Sequence, residues 1–476
     1  MFNKRYYSLD EYYKKRYGCK VFKVSLNLGL SCPNIDGVKG YGGCIYCKGG
    51  SSSNDGSLSL RAQFEREKEI LHRKWKNAKY IAYFQNNSNT YGDLEYLKRS
   101  FEEVLGYDGV VGINIATRCD AISDECFSYL ENLNKRTDLV IELGLQTIHD
   151  ETSRLINRGH SLDEFLVMYN RLKKAHIKVV VHIINGLCYE SYDMMIETAK
   201  FLNKIKPDGV KIHMLCVLKG TSLEKFYEKN KFHILSLDEY VNVVCSQLEY
   251  LDSSIVIHRI TGDPYADDLV CPSWVLKKFN VMNSIFKELK RRGTYQGFNT
   301  CILNRSRALM SSNLKSNDFV IDATVGNGKD SAFLLDIVRD GFLFGFDIQK
   351  VSIDNTKKRL SHFSNYELFN TGHENMADVL SEYVGKISLV VFNLGYLPGG
   401  DKGVTTKYDT TIKAISDSLL LLNGKGHIVV TLYTGHDNGL ESDKVLKFLD
   451  DSGICYDEYH NTCDVGAPFV IDIRKS

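Results

Sequence analysis

The stretch Ser31-Cys-Pro-Asn-Ile-Asp-Gly37 and, shortly after it, Gly42-Gly-Cys-Ile-Tyr-Cys47 place three cysteines near the start of a 476-residue chain. The thiolates of Cys32, Cys44 and Cys47 can hold three irons of a [4Fe-4S] cube, because thiolates are the usual ligands of such clusters. The fourth iron then stays open for another ligand. The two glycines before the second cysteine let the loop wrap closely around a bulky group, since glycine has no side chain.

The same three cysteines are also compatible with simpler roles. A structural zinc ion usually takes four protein ligands, and no fourth Cys or His follows Cys47 at zinc spacing; the next histidine is His72, in a predicted helix. A disulfide framework is disfavoured, because the 13 cysteines are scattered without paired spacing. The triad can also be inert, as we expect for the remaining cysteines, which are interpreted as buried small hydrophobic residues.

The composition indicates an ordinary globular protein with two or three domains. A chain of 476 residues is too long for one typical core. Its 43% apolar and 25% charged residues match soluble proteins, and only six prolines argue against long disordered linkers. The sequence has no apolar run of about 18 residues, so no membrane span is expected. The first residues also lack the apolar core of a signal peptide. Free cysteines and an oxygen-sensitive cluster predict a cytoplasmic location.

Beyond residue 80, short apolar runs alternate with helical patterns. Strands are predicted at 80–84, 109–116, 139–145, 177–184 and 209–215, and helices at 124–135, 162–175 and 192–204. This βα rhythm predicts an α/β fold with a parallel sheet that curves into a partial (β/α) barrel. Active sites of such barrels lie at the C-terminal ends of the strands. The polar residues found there are Gln85, Asn89, Arg118, Asp120, Glu142, Gln146, Asn185 and Glu190.

A second pattern begins after Gly297, so we predict one domain over 1–297 and another over 298–476. Residues 318–330 read as a strand, a glycine-rich turn and the start of a helix, and Asp347 ends the next strand. This order predicts a doubly wound, Rossmann-like α/β domain. The glycines allow close approach to a nucleotide-type ligand, and the acid can take both ribose hydroxyls. The missing third glycine favours a methyltransferase over a dinucleotide enzyme or a degenerate fold.

Charge is distributed unevenly between the two predicted domains. Residues 1–297 carry 42 Lys and Arg against 36 Asp and Glu, whereas residues 298–476 carry 18 against 23. In the first 25 residues, basic side chains are interleaved with tyrosines. That pattern suits a polyanion with exposed bases, such as an RNA. The alternative is an ordinary solvated amphipathic helix.

Together, the motifs resemble two known families. The segments that carry the first resemblance are the cysteine stretch, 80–91, 142–150, 156–160 and 258–263; those that carry the second are 322–330, 346–349, 372–374 and 393–402. Residues 18–297 resemble the YtqA/MnmL family of radical S-adenosylmethionine (SAM) proteins. Residues 299–476 are similar to the YtqB/MnmM methyltransferases, which have a class I SAM-dependent fold.

The first resemblance implies a [4Fe-4S] cluster on Cys32, Cys44 and Cys47, with SAM on its open iron. An electron from the cluster would cleave SAM into methionine and a 5′-deoxyadenosyl radical, so a reductant such as flavodoxin or ferredoxin is implied. The candidates for orienting this SAM are Gln85, Glu142, Gln146 and Arg158. A buried, paired strand carboxylate is the alternative for Glu142.

The second resemblance implies another SAM site. Its cofactor-binding candidates are Gly326, Asn327, Gly328, Asp330, Asp347, Gln349, Gly372 and His373. Asp347 would bind the ribose, and Gln349 and His373 would flank the adenosine, although His373 can also be a plain surface-loop histidine. The catalytic candidates are Asn393, which would accept a hydrogen bond from an amine, and Asp401, as a base.

The two families imply successive steps on the wobble uridine of tRNA. The first unit would convert 5-carboxymethylaminomethyl(-2-thio)uridine to 5-aminomethyl(-2-thio)uridine, and the second would methylate that amine. The alternatives are the same chemistries on another RNA base or a small metabolite, and a non-catalytic tRNA-binding scaffold. Three positions depart from the family patterns: Cys119 stands where proline is expected, Cys188 interrupts a Leu-Gly-Leu-Pro pattern, and Lys329 stands where histidine is commoner. Nothing in the sequence indicates the oligomeric state.

Overall fold

The computed structural model describes residues 5–48, 56–72, 75–395, 405–434, 437–460 and 467–475. The chain divides into two compact units, residues 1–297 and 298–476. Each unit has its own sheet and its own buried apolar core. Within the described ranges, no helix is long and apolar enough to cross a membrane.

The first unit is built from βα repeats. Its strands are β1 (Val21–Leu26), β2 (Lys79–Phe84), β3 (Val110–Thr117), β4 (Asp138–Gln146), β5 (Lys178–Asn185), β6 (Gly209–Met214), β7 (Val217–Leu218), β8 (Val256–Arg259) and β9 (Leu269–Cys271). Its helices are α1 (Leu9–Tyr17), α2 (Leu60–His72), α3 (Leu94–Leu105), α4 (Asp124–Asn134), α5 (Asp150–Leu155), α6 (Leu162–Lys174), α7 (Tyr192–Ile205), α8 (Ser222–Asn230), α9 (Leu237–Tyr250) and α10 (Lys278–Arg292).

The main sheet of this unit has the order β1-β2-β3-β4-β5-β6-β8, and all neighbouring strands are parallel. This confirms the predicted α/β fold with a partial barrel. Helix starts follow local signals: Ser161 before α6 and Ser236 before α9 each form a capping box with the glutamate three residues on. Such boxes satisfy amide groups that the first turn of a helix leaves unpaired.

The second unit is a doubly wound sheet. Its strands are β10 (Phe319–Asp322), β11 (Phe342–Phe346), β12 (Tyr366–Phe369), β13 (Ile387–Asn393), β14 (Leu422–Leu432), β15 (Tyr456–His460) and β16 (Phe469–Arg474). Its helices are α11 (Ile302–Met310), α12 (Lys329–Leu335), α13 (Lys350–Arg359), α14 (Met376–Val379), α15 (Tyr408–Leu421) and α16 (Leu440–Asp451). The order is β12-β11-β10-β13-β14-β16-β15, and β16 runs antiparallel to both its neighbours. This confirms the predicted Rossmann-like fold.

The tyrosine-rich segment at the start of the chain is a packed helix. Tyr12 and Tyr13 of α1 line a cavity of about 410 Å³ together with Asp138 and Lys178, the first residues of β4 and β5. Tyr13 is 5% exposed, and Tyr17 donates a hydrogen bond to Asp138. These tyrosines therefore pack against the N-terminal ends of the strands, while Tyr7, Tyr12 and Tyr17 stay partly exposed, and binding of RNA by this segment stays a prediction.

Candidate active sites

The cysteine loop follows β1 and is shaped by backbone hydrogen bonds. The amide of Ile35 donates to the carbonyl of Cys32 over 2.8 Å, and that of Cys47 donates to the carbonyl of Cys44 over 2.9 Å. Gly42 and its neighbour have φ values of +76° and +73°, which an L side chain adopts only with strain. The sequence between the cysteines thus folds into tight turns that only these glycines permit.

Asn34 ties the cysteine loop to the segment after α5. This side chain is fully buried; its Nδ2 donates to the carbonyl of Asn157 over 2.5 Å and lies 3.8 Å from Cys44 Sγ. A Cβ on Gly40 or Gly159 would come within 2.5 or 2.7 Å of Asn34 Oδ1, so both positions exclude a side chain. Hydrogen bonds to cluster sulfurs tune reduction potentials, so Asn34 is placed to influence a cluster that Cys44 would hold.

An arginine that is paired with Asp120 lies beside two of the three thiols. Burial raises the pKa of the Cys44 thiol and Cys47 adds to this effect, whereas Arg118 acts in the opposite direction. Burial opposes the charge of the Arg118 guanidinium, but Asp120, Cys32 and Cys44 hold its pKa above the usual range. Cys32 and Cys47 both act on the Cys44 thiol, so the loop offers three neighbouring thiol donors, the set that suits an iron–sulfur cluster. No group of three or more metal-ligating side chains is drawn together within the described ranges, and the fit rests on the donor set and its electrostatics.

Arg158, predicted to orient SAM, instead supports the end of β4. It is 1% exposed; its Nη1 donates to the carbonyls of Leu145 and Thr147 over 2.5 and 2.6 Å, and its Nη2 to that of His160 over 2.8 Å. The pairing of β4 with β5 shifts register at this point, and Gln146 has a φ of +66°. The guanidinium is committed to backbone carbonyls, and we assign it to holding this bulge and the left-handed residue.

Polar atoms at the strand ends are left available to a ligand. The side-chain amides of Gln85, after β2, and Gln146, at the end of β4, are partly exposed and have no hydrogen-bond partner among the described residues. The buried atoms Asn87 Oδ1, Ser88 Oγ and Asn89 Oδ1 also lack partners in that part of the chain. Buried polar groups are normally paired, so this edge fits a polar ligand.

Glu142 belongs to an ionic network inside the barrel. It is 1% exposed and accepts from Lys23 at 2.6 Å, Asn114 at 2.7 Å and His182 at 2.8 Å, and it also pairs with Lys211. Burial alone would raise the pKa of this carboxyl, but Lys211 and Lys23 lower it well below its usual range. The carboxylate has no acceptor position left for SAM. The paired strand carboxylate is what the structure shows, and the assignment of Glu142 to SAM is corrected.

Two further strand-end residues have structural partners. The amides of Asn185 and Gln247 are hydrogen-bonded to each other in both directions over 2.8 Å. Glu190 accepts from the hydroxyl of Thr147, directly after β4. The cysteines that depart from the family patterns are buried, and burial raises the pKa of Cys119 to about 12. That thiol is therefore inert packing.

In the second unit, the glycine-rich turn and the acid of the next strand meet. Asp347 accepts from the amide of Gly326 over 2.9 Å with one oxygen and from that of Gln349 over 2.8 Å with the other. Gly328 has a φ of +70°, and a Cβ there would lie 2.7 Å from Thr356. The structure thus brings together the predicted ribose ligand and the predicted close-approach turn, with backbone groups setting their spacing.

Two further cofactor-binding candidates are Asn327, in this turn, and Gly372. Asn327 accepts at its side chain from Asn355 over 3.2 Å and at its carbonyl from Arg359 over 2.7 Å. A Cβ on Gly372 would collide with the carboxylate of Glu374.

His373 is buried rather than a surface-loop histidine. Its ring meets that of Phe392 edge-on at 5.7 Å. Burial lowers the pKa of His373, so the ring is neutral, and its buried Nε2 has no partner among the described residues.

Asn393 ends β13 with one amide atom fixed and the other unused. Its Nδ2 donates to Asp330 over 2.7 Å, and its backbone N–H donates to Thr324 Oγ1 over 2.7 Å. Asp330 in turn accepts from Arg307 over 3.1 Å. Because Nδ2 is occupied, Asn393 Oδ1 is the free acceptor; it is buried and unpaired within the described ranges. Asp401, the predicted base, lies outside the described residues.

Comparison with known proteins identifies the family of the first unit. The radical SAM superfamily model matches residues 39–202, and the radical SAM C-terminal domain model matches residues 207–291. The chain is 46% identical over 297 residues to the uncharacterized protein YtqA of Bacillus subtilis strain 168, an alignment that covers 62% of this chain and 92% of that protein. The chain belongs to the YtqA family of radical SAM proteins.

Its second unit adds a methyltransferase. The rRNA methylase model matches residues 343–461. The chain is 35% identical over 146 residues to the chloroplastic tRNA (mnm(5)s(2)U34)-methyltransferase of Arabidopsis thaliana, covering 28% of this chain and 53% of that protein. A solved rRNA methylase from Streptococcus thermophilus is 28% identical and covers 37% of this chain and 96% of that one, with a TM-score of 0.30. The protein is therefore an enzyme that joins a radical SAM unit to a methyltransferase unit.

Some residues at the candidate sites were not chosen as site residues from the sequence. In the radical SAM unit they are Asn34 and the basic residues Lys23 and Lys211. In the methyltransferase unit, Asp322 is 1% exposed, accepts from Ser331 over 2.6 Å, and has its pKa raised by burial to about 7. Asp322 begins the motif with Gly326 and Gly328 that predicts a nucleotide-type ligand, but no role of its own was assigned to it. No comparable signal marks the two lysines, because each lies in a strand far from Glu142 in the chain.

Proposed function

We propose that the protein modifies the wobble uridine of tRNA in two successive SAM-dependent steps. The radical SAM unit converts 5-carboxymethylaminomethyl(-2-thio)uridine to 5-aminomethyl(-2-thio)uridine: the 5′-deoxyadenosyl radical would take a hydrogen atom from the nitrogen-bound methylene of the carboxymethyl group, loss of one electron back to the cluster would give an imine, and water would hydrolyse it to the amine and glyoxylate. The methyltransferase unit then methylates this amine to give 5-methylaminomethyl(-2-thio)uridine. The Arabidopsis relative, 35% identical to the second unit, is named for methylation at position 34 of tRNA, and the first unit would supply its substrate.

The observation that carries the proposal is the single free acceptor at the end of β13. Asn393 Oδ1 is buried and unpaired among the described residues, while Asp330 fixes the other end of the same amide. An acceptor held in this way takes one N–H of an amine and aims the nitrogen lone pair. Methyl transfer needs little beyond such alignment, because proximity and orientation supply much of the rate.

The remaining methyltransferase residues would bind SAM around this acceptor. Asp347 would take the ribose hydroxyls, and Gly326 and Gly328 would let the backbone approach the methionine part. The neutral ring of His373 would lie against the adenosine, since a buried cation there would oppose the sulfonium charge.

In the radical SAM unit, Cys32, Cys44 and Cys47 would hold the cluster. When bound, the cluster supplies the electron that cleaves SAM into methionine and a 5′-deoxyadenosyl radical. Arg118 would compensate the thiolates, and the free amides of Gln85 and Gln146 would bind the polar groups of SAM. A flavodoxin or ferredoxin would reduce the cluster, and the cytoplasm is the compartment that suits it.

Nucleoside analysis of tRNA from a deletion strain tests the proposal. Loss of the gene should abolish 5-methylaminomethyl(-2-thio)uridine, and the wild-type gene should restore it. Cys32→Ala should accumulate the carboxymethylaminomethyl form, and Asp347→Ala the aminomethyl form. Cys455→Ala and Asp354→Ala, at exposed positions of the second unit, are the matched controls and should behave as wild type. An unchanged nucleoside profile in the deletion strain would point to another base or a small metabolite.

A further inference from the structure

The interior of the radical SAM barrel holds more basic groups than acidic ones. Lys23 of β1, Lys211 of β6 and Arg259 of β8 all act electrostatically on one another around Glu142. Lys23 bonds Glu142 at 2.6 Å, and Lys211 pairs with its other oxygen. Burial lowers the pKa of His182 to about 4, so this histidine is neutral. This group of side chains therefore contains one carboxylate and three basic side chains.

Glu142 cannot neutralise the third of these side chains. Its two oxygens already accept from Lys23, Asn114, His182 and Lys211. Among the described residues, Arg259 has no hydrogen-bond or ion-pair partner. Guanidinium groups bind carboxylates and phosphates through paired hydrogen bonds, so the Arg259 side chain, without a protein partner among the described residues, is free to bind an anionic group.

Arg259 borders the open side of the network. It is the last residue of β8, pairs in register with Lys211, and is partly exposed, whereas Lys211 is buried. Because the strands of this sheet are parallel, the end of β8 lies at the same edge as Gln85 and Gln146, whose side-chain amides are free among the described residues. A ligand arm that enters at this edge therefore meets Arg259.

The arginines at the cysteine loop are different ones. Arg118 and Arg158 act electrostatically on the Cys44 thiol. Both guanidinium groups are already held by protein acceptors: Arg118 by Asp120 and a backbone carbonyl, and Arg158 by three backbone carbonyls. The carboxylate for Arg259 can therefore come from SAM or from the second molecule in the site, and experiment separates the two sources.

We propose that Arg259 binds the carboxylate of the carboxymethylaminomethyl arm of the substrate, and so makes the radical SAM unit specific for the acid. This inference rests on the proposed function. Removal of the carboxymethyl group takes away the partner of Arg259 and leaves an ammonium group facing a basic interior. The product then binds more weakly than the substrate, which favours its transfer to the methyltransferase unit.

The test uses the reconstituted full-length chain and tRNA that carries either the acid or its amide at the same arm. Wild type should prefer the acid by roughly 10- to 100-fold in kcat/KM, the size expected for a hydrogen-bonded charge pair. It should also bind acid-bearing tRNA more tightly than aminomethyl tRNA. Arg259→Gln should lose the preference through a raised KM for the acid, and Arg259→Lys should keep part of it. Arg291→Gln, an exposed arginine on α10, is the matched control.

SAM binding separates the two sources of a carboxylate. The Kd for SAM, and 5′-deoxyadenosine formation without tRNA, should be unchanged in Arg259→Gln. A raised SAM Kd with an unchanged acid-to-amide ratio would assign Arg259 to SAM and overturn the proposal. Equal use of acid and amide by wild type would also overturn it, even if no variant folds. If wild type does not convert the acid at all, the proposed function fails instead.

Discussion

Both units resemble families that use SAM, but their candidate sites are built from different parts of the chain. In the methyltransferase unit, backbone amides of Gly326 and Gln349 meet one strand-end acid, Asp347, all within a short stretch of chain. In the radical SAM unit, the key side chains come from strands far apart in sequence, as in the contact between Lys23 and Glu142. A backbone site depends on local conformation, whereas an ionic interior depends on the whole barrel.

The largest expected effect is loss of activity in the radical SAM unit alone. Cys44→Ala should abolish cluster assembly and SAM cleavage, because three thiolates are the minimum set that holds the cube. Anaerobically reconstituted wild type should contain about four irons per chain and form 5′-deoxyadenosine under reductant. Methylation of aminomethyl tRNA by the same variant should be unchanged. Full SAM cleavage by Cys44→Ala would remove the cluster assignment.

Stability should show the same division. Glu142→Gln leaves Lys23 and Lys211 without their carboxylate, and breaking a buried ion pair in this way costs about 3–5 kcal/mol. Native-state hydrogen exchange should report this loss in the radical SAM unit and no change in the methyltransferase unit. Glu131→Gln, at an exposed position of α4, is the control. An equal effect of both variants would show that the network does not stabilise the barrel.

The methyltransferase unit should respond in rate rather than stability. Asn393→Ala should lower kcat for methylation roughly 100-fold, the penalty of lost alignment, with the SAM Kd unchanged. Asp330→Asn should give a smaller fall, since it only releases the amide of Asn393. Isothermal titration with SAM and single-turnover methylation measure the two quantities separately. A large rise in SAM Kd for Asn393→Ala would place this residue in the cofactor site instead.

A pH dependence is expected from Asp322. Its pKa is raised from 3.8 to about 7 in the folded unit, so between these values the folded state holds a proton that the unfolded state has lost. Stability of the methyltransferase unit should therefore fall as pH rises from 4 to 7, by up to about 4 kcal/mol. Asp322→Asn should flatten that slope in denaturant titrations. A slope unchanged by the substitution would assign the dependence to other groups.

The sequence predicted those parts of the molecule that depend on local patterns. Strands with continuous apolar runs, such as β5, and the turn around Gly326 were found within a residue or two. β1 and β8 were not predicted, because each mixes apolar residues with the inward-facing Lys23 or His258 and Arg259. The ionic network was not predicted for the same reason. Burial of a lysine depends on partners that only the folded barrel brings together.

Individual roles were harder to predict than positions. Arg158 and Glu142 were predicted to orient SAM, with a buried paired carboxylate as the alternative for Glu142, but their partners are carbonyls and lysines of the protein. A single sequence shows a charged residue type without showing which of its donors or acceptors are already used.

The smallest expected effect concerns the basic helix α1. Lys14 pairs with Asp10 at 2.9 Å and Arg16 with Asp138 at 2.7 Å, and this helix packs at the N-terminal ends of the strands. Replacing Lys14, Lys15 and Arg16 together by glutamine should change the tRNA Kd by no more than roughly twofold and leave its salt dependence nearly unaltered. A clearly flatter salt slope would restore this segment as a tRNA contact.

We propose that one chain performs two separate SAM-dependent steps in a fixed order. Purified Cys32→Ala protein can be given methyl-labelled SAM and two tRNA substrates, one bearing 5-carboxymethylaminomethyluridine and one bearing 5-aminomethyluridine, and the nucleosides analysed by mass spectrometry. We expect one labelled methyl group on the second substrate at the wild-type rate and no conversion of the first. Labelled 5-methylaminomethyluridine from the first substrate, or failure on both, would show that the two steps are not separate in this way.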